Sequence, residues 1–311
     1  MKTFLNFASK NIAFLLLSLT AMMTAPVSAQ ERSLSFKEEK RRYIVYTPPS
    51  YASSPEKKYP VVLNFHGGGM TMREQMFYTQ MNKAADEFGF IVVYPQGVGA
   101  VGKQDWNVGF GTSYRDGVDD VGFTEAMLDE LEKNWRIDTK RIYATGLSRG
   151  GFFVQRLAAE LSHRIAAVAS VGATLPIPVQ KQQSPRAEKK PLGVMVIMGT
   201  ADQVVAHAGK SEAYLSAEAS YEYWIQSNTG KGRESAYESS RVLDHDAKDQ
   251  TQTKVLEYQL GNQSVSFVSV QDGGHTWPGA DAFNIGLPLG KTSNDFDVNT
   301  LMWQFFQKHR R

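Results

Sequence analysis

Ser148, Asp202 and His275 appear in the chain in an order that can turn a hydroxyl into a nucleophile. A serine hydroxyl attacks a carbonyl poorly at neutral pH, so a base must take its proton as it reacts. Histidine, with an ordinary pKa near 6.5, can accept that proton and return it to a leaving alkoxide. A carboxylate then holds the imidazole in the right tautomer and stabilises the imidazolium. Ser148 lies in Gly146-Leu147-Ser148-Arg149-Gly150, behind the β-type run Arg141-Ile142-Tyr143-Ala144-Thr145 and ahead of a helical segment, Phe152 to Leu161. Strand, Gly-x-Ser-x-Gly and helix together are the setting of a nucleophile elbow, whose turn is too sharp for flanking side chains. The bland alternative is a Gly-rich β-to-α turn in which the serine merely caps a helix.

The remaining motifs favour the elbow. Asp202 ends Gly199-Thr200-Ala201-Asp202, directly after the apolar run to Met198. His275 sits at the centre of Asp272-Gly273-Gly274-His275-Thr276-Trp277-Pro278-Gly279, which is too rich in glycine for a helix. Asp272 is the rival acid, but only three residues separate it from His275 on one turn, which makes mutual orientation awkward. His163, His207, His245 and His309 suit solvent-facing or structural uses better. His66-Gly67-Gly68-Gly69-Met70 follows a strand and can supply a backbone N–H to the oxyanion that attack creates. Gly68, or failing it Gly69, is the expected donor there, and Arg149, the residue after the nucleophile, is expected to supply the other. His66 is expected to prop this loop. The glycine spacing fits neither a dinucleotide fingerprint nor a P-loop.

Elements that hold such residues at one edge of a sheet are legible around them. Strands are expected at Arg42–Tyr46, Tyr59–Phe65, Phe90–Tyr94, Arg141–Thr145, Ala166–Val171, Gly193–Met198 and Ser264–Val270. Helices are expected at about Arg73–Phe88, Asp119–Asn134, Phe152–Leu161, Ser211–Gln226 and Asn294–Lys308. Their alternation with continuously apolar strands predicts an α/β fold, with a mostly parallel central sheet covered by helices on both faces. Residues 174–191 read as an exposed crossing loop. Within the polar stretch 228–262, Val255–Tyr258 is expected to pair with Ser240–Leu243 as a hairpin at the sheet edge.

Lys2 and Lys10, the apolar stretch Ile12–Met23 and the small residues Val27-Ser28-Ala29 predict a signal peptide over residues 1–29, with Gln30 as the first mature residue. The stretch is shorter than the roughly 20 residues a membrane span needs, so no membrane anchor is expected. Export to the periplasm or medium follows. Without this segment the formal charge falls from +2 to zero, because it holds two lysines and no acid. A neutral balance offers no electrostatic basis for binding nucleic acid. With no cysteine, the chain has no disulfide, thiol nucleophile or cysteine metal site. No metal or other cofactor is expected, since Asp244-His245-Asp246 is the only compact ligand-like group and falls in the polar hairpin. Residues 30–311 are expected to form one catalytic domain.

With these residues in view, the chain resembles the exported α/β-hydrolase esterases that group polyhydroxybutyrate depolymerase-like and feruloyl esterase-like enzymes. The resemblance runs from about Arg41 to Phe306. It rests on the His-Gly-Gly-Gly turn, Asp105-Trp106-Asn107, Asp119-Asp120-Val121-Gly122-Phe123, the elbow, Gly199–Asp202 and the segment Gly273–Gly279. It implies a carboxylic ester hydrolase with Ser148, Asp202 and His275 as its triad. Its substrate would be a feruloyl or acetyl ester on polysaccharide, or a hydroxyalkanoate oligomer. Acyl transfer by the same residues and a non-catalytic carbohydrate-binding descendant are the alternatives. Arg149 stands where relatives often have Asn or Met, and His207 where they are usually aromatic. Both fall near the expected acyl pocket. Trp106 and Trp277 are read as a substrate platform, with packing as structural filler the alternative. The Arg149 guanidinium is expected to reach the entrance, where it would favour a substrate carrying a carboxylate or hydroxyl.

Overall fold

In every central strand successive side chains enter two different apolar layers. Val61, Leu63 and Phe65 face one and Val62 the other; Val194, Val196 and Met198 alternate in the same way with Met195 and Ile197. Such strands are covered on both faces, which is why they read as unbroken apolar runs. A computed structural model describes residues 29–110, 114–182, 190–230, 237–261, 263–281 and 288–311; the expected signal peptide lies outside them apart from Ala29.

Ten strands form one sheet among the described residues: β1 (Ala29–Phe36), β2 (Glu39–Tyr46), β3 (Tyr59–Phe65), β4 (Ile91–Pro95), β5 (Ile137–Leu147), β6 (Ala167–Val171), β7 (Gly193–Gly199), β8 (Tyr237–Leu243), β9 (Gln252–Leu260) and β10 (Gln263–Gln271). Their order is β1-β2-β4-β3-β5-β6-β7-β10-β9-β8. The run from β4 to β10 is parallel, and an antiparallel pair extends it at each side. The expected edge hairpin forms, with Ser240 opposite Leu256 and Arg241 opposite Val255.

Eight helices accompany the sheet among the described residues: α1 (Ser50–Ser53), α2 (Met72–Thr79), α3 (Met81–Phe88), α4 (Asp120–Asn134), α5 (Arg149–Glu160), α6 (Ile177–Lys181), α7 (Ala217–Thr229) and α8 (Val298–Phe306). Helices α4, α5 and α7 bury Phe123, Leu157 and Trp224 in one layer. Helices α2, α3 and α8 bury Met76, Ala85 and Trp303 in the other. This three-layer arrangement is the α/β-hydrolase fold.

Three expectations need correction, and one strand was not expected. The single helix over residues 73–88 is two, because Gln80 adopts φ 49° and breaks it. Asn299 Nδ2 donates to the Thr79 carbonyl at 2.9 Å, occupying an acceptor that a continuous helix would use. Helix α7 starts at Ala217 rather than Ser211, since the Ser216 hydroxyl caps it by accepting from the Ala219 N–H at 3.0 Å. The crossing loop is only partly exposed: Thr174, Leu175 and Val179 are buried around α6, while residues 183–189 lie outside the described part. Strand β1 had no counterpart in the sequence reading. Its turn to β2 places Lys37 and Glu38 at φ 48° and 66°, where glycine or asparagine would have signalled a tight hairpin.

Candidate active site

The elbow is built as its glycines require. Ser148 sits at φ 53°, ψ −116°, a strained conformation for a residue with a side chain, between β5 and the first turn of α5. A β-carbon at Gly146 would lie 2.6 Å from the Gly150 carbonyl carbon, and one at Gly150 would run into the Phe65 carbonyl oxygen. The Ser148 N–H donates to the Val171 carbonyl at the end of β6, at 2.8 Å.

Strand pairing brings the other two residues together. Parallel β7 and β10 end side by side, with Val270 opposite Gly199. The loops beyond them interlock: the Thr200 N–H donates to the Val270 carbonyl at 2.9 Å and the Ala201 N–H to the Gly273 carbonyl at 3.0 Å. His275 Nδ1 and Asp202 Oδ2 lie 2.6 Å apart, with side chains 4% and 0% exposed. Asp202 Oδ1 accepts from the Val204 and Val205 N–H groups, each at 2.8 Å, so the carboxylate is held from both oxygens. A proton on Nδ1 serves this bond and leaves Nε2 as the basic nitrogen. Asp272, the rival acid, is exposed, and its N–H donates to the Thr200 hydroxyl at 2.9 Å. Gly172, directly after the carbonyl that binds Ser148, closes this side of the site. A β-carbon there would stand 2.9 Å from His275 Cε1.

Across the elbow, His66 is buried and pins the glycine loop. Its Nδ1 donates to the Gly67 carbonyl at 2.8 Å, and its Nε2 accepts from the Gly97 N–H at 2.9 Å. Burial pushes its pKa down to about 4, so it is neutral and structural at pH 7, as a loop prop should be. The Gly69 N–H is already committed to the Gln104 carbonyl at 2.8 Å. Exposed Gly68, in contact with the Arg149 stem, is therefore the candidate the loop offers for a second backbone donor.

The aromatic platform is a correction. Trp106 and Trp277 are each 1% exposed. Trp106 stacks on Phe153 at 5.2 Å and donates through Nε1 to the His66 carbonyl at 2.9 Å. Trp277 Nε1 donates to Asn299 Oδ1 at 3.1 Å. Both indoles have found core partners, so neither offers a face to a substrate. His207 lies against Phe267, with its Nδ1 3.7 Å from Glu218 on α7. The Arg149 guanidinium is also spoken for, by Asp105 Oδ1 at 2.6 Å and the Trp106 carbonyl at 3.1 Å.

Residues 35–285 match the model of the family Esterase, described as "Putative esterase". The chain belongs to that family. Its members hydrolyse carboxylic esters, and the esterase is 31% identical over 77% of its length to "Putative esterase NocK" of Nocardia uniformis subsp. tsuyamanensis, covering 71% of that protein. It is 25% identical over 76% of its length to "Feruloyl esterase B" of Piromyces equi, but spans only 42% of that chain. In structure the esterase resembles the acetyl xylan esterase from Aspergillus awamori, with a TM-score of 0.59 at 14% identity, over 90% of its own length and 99% of the other. At that identity the likeness speaks for the fold.

Sequence reasoning passed over Gly172, Gln104 and the role of Asp105. A lone glycine and polar loop residues carry no local sign of what they touch.

Proposed function

We propose that the chain is an exported serine esterase that works through an acyl-enzyme. His275 Nε2 takes the Ser148 proton as Oγ attacks the ester carbonyl, and Asp202 holds Nδ1 and stabilises the imidazolium. The N–H groups of Arg149 and Gly68 bind the oxyanion, His275 returns the proton to the leaving alkoxide, and water releases the acyl group by the reverse sequence. The buried 2.6 Å bond between His275 and Asp202, linked to the strained Ser148 through Val171 and Gly172, is the observation that carries this reading. Sequence relatives named as a bifunctional acetylxylan esterase/xylanase and a feruloyl esterase support an acetyl or feruloyl ester on polysaccharide as substrate. Removal of residues 1–29 would cost β1 only its first pair, Ala29 with Tyr46.

Ser148→Ala should lower kcat on p-nitrophenyl acetate by about 10⁶, with the protein still folded. Wild-type turnover in that variant would end the serine reading. Rates on acetylated xylan, methyl ferulate and hydroxybutyrate oligomers then decide the acyl group, and N-terminal sequencing of exported protein should begin at Gln30.

A further inference from the structure

The proposed acyl-enzyme route uses the backbone of Arg149 and leaves its side chain without a task. That side chain closes a ring of contacts around the oxyanion loop. Its Cγ lies where a β-carbon on Gly68 would approach to 2.8 Å, so its stem is seated on the glycine that offers the second donor. Its Nε and Nη2 then reach Asp105 Oδ1 and the Trp106 carbonyl, with Phe110 5.1 Å from the guanidinium carbon. Gln104 and Trp106 bind the same loop. The Gln104 carbonyl accepts from the Gly69 N–H at 2.8 Å, and Trp106 Nε1 donates to the His66 carbonyl at 2.9 Å.

We propose that Arg149 is a positioning residue, whose side chain fixes the Gly68 N–H relative to its own N–H and so sets the spacing of the two oxyanion donors. This rests on the serine-esterase reading. The physical case is geometric. An oxyanion hole works when its donors are fixed before charge develops, and a displacement of about 1 Å can cost about 10²-fold. A glycine loop has no side chains with which to hold itself, so it needs a strut from outside. The partner Asp105 compensates the Arg149 charge, which argues for a mechanical role over an electrostatic one.

Two substitutions break the strut from opposite ends. Arg149→Met keeps most of the stem and loses the ion pair, whereas Asp105→Ala leaves the guanidinium charge in place and removes its anchor. Both should lower kcat by about 10- to 100-fold while KM moves by no more than about threefold. Affinity for a boronic acid, which forms a tetrahedral adduct on the serine, should weaken by the same factor as kcat. A fluorophosphonate should still label Ser148, and melting temperatures report that the fold persists. Wild-type kcat in folded Arg149→Met, loss in Arg149→Met but not in Asp105→Ala, or a change confined to KM would each overturn the proposal. An active Ser148→Ala would instead remove the reading beneath it.

Discussion

A methyl group added at Gly172 would press on the His275 ring from 2.9 Å, in a backbone already at φ 58°. Gly172→Ala should therefore lower kcat by at least about tenfold by displacing the imidazole, and stability by about 1 kcal/mol through the left-handed backbone alone. Steady-state kinetics and thermal unfolding separate the two effects. The competing carboxylates are as easily distinguished. Asp202→Asn preserves the shape of the group but removes the charge facing Nδ1, so kcat should fall by about 10⁴ with little change in melting temperature. Asp272→Asn should stay within about twofold of wild type, because Asp272 is exposed and its N–H is bound to Thr200. A comparable loss from Asp272→Asn would reverse the assignment.

At the scale of elements, the site depends on where strands stop. Strands β5, β6, β7 and β10 are parallel neighbours, so Ser148, Gly172, Asp202 and His275 all emerge at the same edge of the sheet. The strand–helix rhythm was readable in advance because period-2 alternation and continuous apolar runs are local properties. Strand β1 was not, because its tight turn uses Lys37 and Glu38 where the signal would be glycine or asparagine. That turn supplies a prediction of its own. Glu38→Gly should raise stability by roughly 0.5–1 kcal/mol, since φ 66° strains a glutamate and suits a glycine. Chemical denaturation would show it as a higher midpoint with an unchanged slope.

Across the whole molecule, two neutral histidines link folding to pH. His66 lies beyond the C-terminal end of β3, and His309 packs against Gly193 and Ser264 at the N-terminal ends of β7 and β10. Burial lowers each pKa from 6.5 to about 4. The native state keeps both neutral, while the unfolded chain takes up protons as the pH falls through 6.5. Their contribution is therefore complete above pH 6.5 and is lost progressively toward pH 4, by roughly 3 kcal/mol for each histidine. Melting temperature should drop over that window. His309→Gln should start lower at pH 7 and show a shallower decline. No helix among the described residues is long and apolar enough to cross a membrane.

Composition, periodicity and glycine placement, read from the sequence alone, were enough to predict the layered α/β fold and the sharp turn at Ser148 between strand and helix. These are short-range properties: a turn either admits a side chain or does not, and a strand covered on both faces has no polar period. Tertiary structure decided what depends on residues far apart in the chain. It set Asp202 against His275 through a contact spanning 73 residues, committed the Gly69 N–H to Gln104, and buried Trp106 and Trp277 as core. It also paired the Arg149 guanidinium with Asp105. Which donor is free and which ring is exposed depend on what else fills the neighbouring space, and only the folded chain brings those neighbours together.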